Sequence, residues 1–339
     1  MLDYSTLRSA LADMGEPEYR ARQAYRAVAR NLVTSFDQIT VLPASLREGL
    51  SARLDVSELE AVTSSVSGDG ETEKTMFTAR DGALVEAVAI RSGKRTTVCV
   101  SSQVGCAVGC PFCASGRRGL TRDLTAAEIA DQVAHFERLT RAEGRRVTNV
   151  VVMGMGEPFH NYDATLAACR LLNDGEGLAI GARSIAVSTA GVVPGIAKFA
   201  DEPEQFNLAV SLHAATDGVR DRLVPLNRTY PIAEVIDACR RYLDLTGRKI
   251  MFEYVLLPGV NDGAEQVDAL VQLLRRPLCH VNVIGLNETD GGFVAPSEAE
   301  VRRFAGRLRA AGLSCTARRS PGGDIAAACG QLATRSASG

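Results

Sequence analysis

Apolar residues follow two different patterns along the chain, and the change falls near residue 95. Beyond it, short apolar runs alternate with stretches in which apolar positions recur at helical spacing. Six runs are typical of buried strands: TTVCVSS (96–102), VTNVVVM (147–153), SIAVST (184–189), FNLAVSL (206–212), KIMFEYVLL (249–257) and HVNVIGL (280–286). The helical stretches lie near 125–143, 161–173, 232–246, 263–275 and 296–311. Such alternation predicts an α/β fold with a parallel sheet, as a partial barrel or a doubly wound sheet.

The residues before this region predict two further parts. Residues 1–52 carry apolar positions at helical spacing and are expected to form a small N-terminal helical domain. Residues 53–93 look like short strands with turns, and TEKTMFTA, Asp81-Gly82 and ALVEAVAI predict a β-hairpin. The chain is therefore expected to comprise a helical accessory domain (1–52), a hairpin and linker region (53–93), and a barrel with a C-terminal tail (94–339).

Composition and charge narrow the class of protein. The 339 residues are 46% hydrophobic and 23% charged, which is typical of a globular protein. They contain no run of about 18 apolar residues and no signal-peptide pattern, so we expect a cytoplasmic protein that does not span a membrane. With 38 basic and 40 acidic residues the net charge is −2, so any binding of nucleic acid must depend on local basic patches.

Three of the nine cysteines form a C-x3-C-x2-C motif directly after the first predicted strand: Cys106, Cys110 and Cys113. Three thiolates at this spacing can bind three irons of a [4Fe–4S] cluster. A zinc site usually has four protein ligands, and no fourth cysteine or histidine lies nearby in the sequence. The fourth iron would be open to the amino and carboxylate groups of S-adenosylmethionine (SAM). With Phe112 before the last cysteine, the motif resembles that of the radical SAM superfamily, whose fold is a partial (β/α)6 barrel.

Polar or glycine residues follow four of the predicted strands. In a parallel barrel the ligand site lies at the carboxyl ends of the strands, so these residues are expected to converge there. The expected contacts to SAM are Gly156, Glu157, Ser188, Ser211, Leu212, His213 and Asn287. Glycine allows the backbone to approach a ligand, and Glu157 could accept hydrogen bonds from the SAM amino group. His213 could equally be a hydrogen-bonded structural histidine.

Longer motifs resemble one particular family. They are CVSSQVGC (99–106), MGMGEP (153–158), SLHA (211–214), EYVLLPGVND (253–262) and AACGQL (327–332). Together they resemble the RlmN/Cfr family of radical SAM RNA adenosine methyltransferases, and the similarity covers nearly the whole chain. The combination of Cys99 with Cys329 is far more specific than the three-cysteine motif.

This resemblance implies a mechanism that uses two SAM molecules per turnover. Cys329 takes a methyl group from the first, and the second is cleaved to a radical that removes hydrogen from the S-methyl group. The resulting carbon radical adds to adenine, and a Cys99–Cys329 disulfide then releases the product. Glu86 corresponds to a glutamate that acts as proton acceptor, although by itself it would be interpreted as a solvent-facing strand residue.

The resemblance also implies substrates and partners. The expected target is C2 of an adenosine in 23S ribosomal RNA, with transfer RNA as a second substrate, and Cfr-like methylation of C8 is the nearest alternative. Flavodoxin or ferredoxin would donate electrons to a monomeric enzyme. Candidate RNA contacts are Arg117, Arg118, Arg122, Arg318, Arg319, Arg20, Arg22, Arg26 and Arg30. The last four could instead form a solvated helix face.

Three expectations remain. Cys329 should lie on a mobile tail, since it has to visit two positions. Cys169, Cys239, Cys279 and Cys315 lie in apolar contexts and should fill the core. A radical SAM enzyme with a small-molecule or peptide substrate and a non-catalytic iron–sulfur or zinc-binding RNA module remain as alternative functions.

Overall fold

A ten-stranded sheet runs through the part of the chain that the computed structural model describes, which is residues 1–275, 278–287, 292–318 and 321–332. Its strands are β1 (Leu59–Val66), β2 (Thr72–Ala79), β3 (Leu84–Ser92), β4 (Arg95–Val100), β7 (Asn149–Val152), β8 (Ile185–Thr189), β9 (Asn207–Ser211), β10 (Ile250–Leu256), β11 (Cys279–Gly285) and β12 (Cys315–Arg318). They are ordered β1-β2-β3-β4-β7-β8-β9-β10-β11-β12. A separate antiparallel pair is formed by β5 (Gln103–Gly105) and β6 (Leu120–Asp123).

The parallel part of the sheet is the predicted partial barrel. Strands β4 and β7 to β12 pair in parallel, and their spatial order follows their order in the chain. In a doubly wound sheet the order of the strands reverses at a switch point. The strand order here does not reverse, so the doubly wound alternative is wrong. All six predicted strands are present as β4 and β7 to β11. The additional strand β12 has the sequence CTAR and lacks an apolar run, so periodicity could not detect it.

Helices cover the outer side of the barrel. The five predicted ones are α5 (Ala126–Ala142), α6 (Tyr162–Asn173), α9 (Ile232–Thr246), α10 (Ala264–Leu274) and α11 (Glu298–Ala310). The sequence analysis missed α4 (Ala114–Arg118), α7 (Val193–Ala200) and α8 (Asp217–Leu223), because two turns or fewer are too short to show a helical period. Capping boxes of Thr125 with Glu128 and Ser297 with Glu300 fix the starts of α5 and α11.

The predicted hairpin is part of the same sheet as the barrel. Strands β2 and β3 pair antiparallel on either side of the Asp81-Gly82 turn, where Gly82 adopts a φ of +80°. Strand β3 then pairs antiparallel with β4, which places Val88 opposite Cys99. The hairpin prediction is confirmed, and the region also forms a continuous sheet with the barrel. The division of the chain into domains at residues 52 and 93 stays a prediction.

The N-terminal region is helical, as expected. It contains α1 (Tyr4–Asp13), α2 (Glu18–Tyr25), a π-helical turn (Arg26–Arg30) and α3 (Ala44–Ser51). Its buried side chains belong to the same hydrophobic core as the barrel, and the Tyr25 hydroxyl donates to Asp174 across 2.7 Å. None of the helices in the described ranges is long and apolar enough to cross a membrane.

Candidate active site

A pocket of about 160 Å³ opens at the carboxyl ends of the parallel strands. Most of the residues expected at the site line it: Cys106, Cys110, Cys113, Gly156, Glu157, Ser188, Ser211, His213 and Cys329. Leu212 is fully buried behind the wall and donates its backbone N–H to Glu253. Asn287 borders a neighbouring pocket. The barrel thus brings together side chains that are more than 200 residues apart in sequence.

The three-cysteine loop connects β5 to α4 and is held by close backbone contacts. The Cys106 N–H donates to the Gly119 carbonyl at 3.0 Å, and the Cys113 N–H donates to the Cys110 carbonyl at 3.1 Å. Gly105 has a φ of +80°, and a Cβ at this position would clash with the Gly119 carbonyl. Glycine is therefore required for the loop to fold back beside the barrel.

The three thiols of this loop line one pocket and lie close enough to affect one another's pKa, as the ligands of a shared cluster would. Burial raises the pKa of Cys106 to about 12 and that of Cys110 well above its usual value, and neighbouring thiols of the loop raise both further. Coordination to iron removes the thiol proton. In the described ranges no three His, Cys, Asp or Glu side chains are grouped to hold a single metal ion. A [4Fe–4S] cluster needs a wider arrangement, because each thiolate binds a different iron.

Glu157 is a buried carboxylate in the wall of the pocket. Its two oxygens accept hydrogen bonds from the backbone N–H groups of Phe159 at 3.0 Å and Ala190 at 2.6 Å. Burial raises its pKa to about 7, although these hydrogen bonds act in the opposite direction. The carboxylate therefore links the loops that follow β7 and β8, and it is poised to change its charge near neutral pH.

His213 is neutral, and its ring is fixed by the barrel. Its Nδ1 accepts the Val255 N–H at 3.1 Å, so the proton of the neutral ring lies on Nε2. Burial lowers its pKa to about 3, and the positive charge of Arg220 lowers it further. The ring also packs edge-on against Phe112, with 5.2 Å between the centroids. His213 is therefore a hydrogen-bonded structural histidine that also lies in the wall of the pocket.

Glu253 is a pocket carboxylate that the sequence analysis missed. It lies on β10 and is 4% exposed. Its Oε1 accepts from Asn282 at 2.9 Å, whereas Oε2 has no hydrogen-bond partner among the described residues. The sequence did contain a signal for this residue, because Glu253 is a charged residue inside the apolar run KIMFEYVLL. A charged residue is almost never fully buried unless it is paired.

Cys99 and Cys329 line a smaller pocket beside the first one, together with Cys113 and Arg318. Burial raises the pKa of Cys99 to about 12, and the neighbouring Cys329 thiol adds to this effect. Cys329 is an exposed residue, but burial of its sulfur by the surrounding protein raises the pKa of the thiol. The Arg318 guanidinium lowers the pKa of both thiols and so favours their thiolate forms.

The C-terminal tail is docked over the site by contacts on both sides of Cys329. The Cys329 carbonyl accepts from Asn287 at 3.1 Å, and the Gly330 carbonyl accepts from the Ala114 N–H at 2.8 Å. The Ser115 hydroxyl donates to the Leu332 carbonyl at 2.5 Å. Asn287 therefore contacts the tail and does not line the main pocket. The predicted mobility of the tail stays a prediction.

Comparisons with known proteins agree with this geometry. The family model of the radical SAM superfamily matches residues 100–274. A protein of Symbiobacterium thermophilum named "Probable dual-specificity RNA methyltransferase RlmN" is 45% identical over 96% of this chain and 88% of its own length. A protein of the same name from Gemmatimonas aurantiaca is 47% identical over the same shares. The chain belongs to the RlmN family of the radical SAM superfamily. Membership implies a [4Fe–4S] cluster and SAM as cofactors.

A solved structure supports the same assignment. The crystal structure of a radical SAM methyltransferase from Sphaerobacter thermophilus is 52% identical, covers 97% of both chains and superposes with a TM-score of 0.95. The predicted radical SAM fold is therefore confirmed. The family assignment extends over the hairpin and N-terminal helices as well as the barrel.

Glu86, the glutamate that family resemblance singles out, is buried and not solvent-facing. It is 4% exposed on β3 and pairs through Oε1 with Lys74 at 3.2 Å. Its Oε2 has no hydrogen-bond partner in the described part of the chain. The Lys74 ammonium also donates to the Ala326 carbonyl of the tail at 3.2 Å. Lys74, which the sequence analysis missed, thus connects the glutamate to the tail that carries Cys329.

Replacing Lys74 by methionine should lower the free energy of unfolding by about 2–3 kcal/mol, because it leaves a buried carboxylate without its counter-charge. Urea unfolding would measure the loss. The control is Lys94→Met, which removes an exposed lysine. Adding Glu86→Gln should restore part of the stability, and a double variant no more stable than Lys74→Met would contradict the ion-pair explanation.

The arginines expected to contact RNA have different surroundings. Arg122 pairs with both Asp81 and Glu128, so its charge is already balanced. Arg26 pairs with Glu176 at 2.8 Å, and Arg20 and Arg22 lie 4.0 and 3.7 Å from carboxylates one turn earlier. Arg117 and Arg118 end α4 beside the cysteine loop, and Arg318 lies at the pocket mouth. Arg30 ends the π-helical turn. Arg319 lies outside the described residues.

The other four cysteines are core residues, as predicted. Cys169, Cys239, Cys279 and Cys315 are all buried within the main hydrophobic core. They belong to α6, α9, β11 and β12, and none of them lines the pockets at the active site.

Proposed function

We propose that the protein methylates C2 of an adenosine in 23S ribosomal RNA, and an adenosine of transfer RNA as a second substrate. The observation that carries this proposal is the placement of Cys99 and Cys329 in one pocket, next to the three-cysteine loop. The names of the curated relatives support RNA as the substrate. The predicted C2 position comes from the family resemblance.

The chemistry of adenine explains the need for a carrier cysteine. C2 is an electron-poor amidine carbon and cannot displace the methyl group of SAM directly. Cys329 first accepts the methyl group: its thiolate forms the new S–C bond while the sulfonium S–C bond of SAM breaks. Arg318 assists because its charge favours the thiolate. Glu157 holds the SAM ammonium group, and Glu253, Ser188 and Ser211 offer hydrogen-bonding groups in the same pocket.

Later steps need a second SAM and the three-cysteine loop. When bound, the cluster would supply the electron that cleaves SAM to a radical able to take hydrogen from the methyl group on Cys329, and it would take one electron back from the adduct with adenine. Once the carbon radical has added to C2 of adenine and the excess electron has left the adduct, Glu86 accepts the proton from C2, and the ring becomes aromatic again. Cys99 then attacks the Cys329 sulfur, which forms a disulfide and breaks the bond between that sulfur and the carbon. The carbon stays on adenine as a methyl group after protonation.

Cys99→Ala should therefore stop the reaction at a covalent complex of protein and RNA. Methyl transfer to Cys329 does not need Cys99, so the complex should form, and it should not be released. Denaturing gel electrophoresis of the reconstituted variant with substrate RNA would show it as a slowly migrating band. Free methylated RNA from this variant at the unaltered rate would contradict the assigned role, and Cys279→Ala is the matched control.

The proposed regiochemistry is tested by mass spectrometry of RNA nucleosides from cells with and without the gene. The expected result is 2-methyladenosine that disappears when the gene is deleted. Loss of 8-methyladenosine would instead indicate Cfr-like activity. No change in either nucleoside would direct attention to a radical SAM enzyme with a small-molecule or peptide substrate. The flavodoxin or ferredoxin donor, the monomeric state and the RNA-binding arginines stay predictions.

A further inference from the structure

Arg220 is a fully buried arginine whose hydrogen bonds are all to neutral groups. It lies on α8 and is 0% exposed. Its guanidinium donates to the carbonyls of Leu212 at 3.0 Å and Ala190 at 2.5 Å, and to the Asn227 side chain at 2.9 Å. A longer contact of 3.3 Å reaches the Ser211 carbonyl. The accepting carbonyls therefore belong to the loop after β8 and to the end of β9.

A full charge in the interior is costly unless an opposite charge lies near it. No carboxylate in the described part of the chain forms an ion pair with Arg220. Two aspartates act on it at longer range: the charges of Asp217 and Asp221 raise the pKa of Arg220 against the effect of burial. Both also accept from Nδ2 of Asn227, whose Oδ1 accepts from Arg220. These carboxylates balance the charge only in part, since burial still lowers the pKa of Arg220 to about 10.

The charge lies behind the three-cysteine loop. Ala190 and Ser211, two of the residues whose carbonyls it binds, line the same pocket as Cys110. A second, smaller hydrophobic core packs the cysteine loop against α8, and includes Val108, Phe112 and Leu223. This packing places water-excluding side chains around the loop and the arginine, so the field of the charge is weakly screened there.

We propose that Arg220 is a positioning residue that balances the negative charge of the cluster and thereby raises its reduction potential. The inference rests on the cluster-binding part of the proposed function. Three thiolates give the cluster site negative charge, and one-electron reduction adds more. A fixed positive charge stabilises the reduced state relative to the oxidised state, and net charge is one of the factors that set such potentials. Its hydrogen bonds also hold the pocket wall in place.

The test compares two substitutions in the full chain after anaerobic reconstitution with iron and sulfide, without RNA. Arg220→Gln removes the charge and keeps a hydrogen-bond donor, whereas Arg220→Lys keeps the charge. A redox titration followed by electron paramagnetic resonance gives the midpoint potential. For Arg220→Gln we expect reduction to be at least tenfold less favourable, a shift of at least 59 mV to more negative potential for one electron. Arg220→Lys should shift less.

Arg222→Met is the matched control, since it removes an exposed cation from the same helix and should leave the potential unchanged. An unchanged potential in Arg220→Gln with full iron content would overturn the proposal. If Arg220→Gln fails to bind iron while Arg220→Lys binds it fully, the charge is required, which supports the proposal. If both fail, Arg220 is a structural cross-link and the proposal is wrong. Absence of a cluster from the unaltered protein would instead refute the proposed function.

Discussion

Cys329→Ala should abolish RNA methylation, with a rate lower by about a thousandfold or more, because no other group can take over a missing nucleophile. Cys329 is the one exposed cysteine residue in the described part of the chain, and its carbonyl accepts a hydrogen bond from Asn287. Methyl incorporation from labelled SAM into substrate RNA measures the effect. The labelled methyl group should also be absent from the protein.

Cys279→Ala is the control for this variant. Cys279 is buried at the start of β11, at the opposite end of the strand from the pocket, so its replacement should leave methylation intact. Iron content should be unchanged in both variants, since neither residue belongs to the cysteine loop. A Cys329→Ala variant with full activity would remove the carrier step from the mechanism and favour an ordinary radical SAM reaction on another substrate.

Binding of SAM should weaken as the pH falls below about 7. The pKa of Glu157 is raised to about 7 by burial, so the carboxylate gains a proton below that pH and loses its attraction for the SAM ammonium group. If SAM binds only when this one carboxylate is ionised, its Kd should increase roughly tenfold for each pH unit well below the pKa. His213 stays neutral in this range, because its pKa is about 3.

Equilibrium binding of SAM to the reconstituted protein between pH 5.5 and 8.5, without RNA, measures this dependence. Glu157→Gln should bind SAM weakly at every pH and should lose most of the dependence, since it has no proton to exchange. Its fold can be checked by circular dichroism. If Glu157→Gln retained the pH profile of the unaltered protein, another group would be responsible for it, and the proposed contact between Glu157 and SAM would be wrong.

Periodicity predicted the long elements because each has a sequence signal that depends on burial alone. The parallel strands read as continuous apolar runs since both of their faces are covered, and the longer helices carry an apolar stripe. The short elements β12, α4, α7 and α8 have too few residues for a period to emerge. That the hairpin would join the barrel sheet depends on pairing between β3 and β4, which no local pattern encodes.

Local spacing determined the three-cysteine loop, and the rule that ligands bind at the carboxyl ends of parallel strands located Glu157, Ser188, Ser211 and His213. Only the tertiary structure decided which distant groups act on them. Lys74 pairs with Glu86 across the hairpin, Arg318 lines the same pocket as Cys99 and Cys329, and Arg220 lies buried behind the cysteine loop. The sequence does not show whether a charged residue is solvated or buried. Only the packing of the folded chain determines which groups surround it.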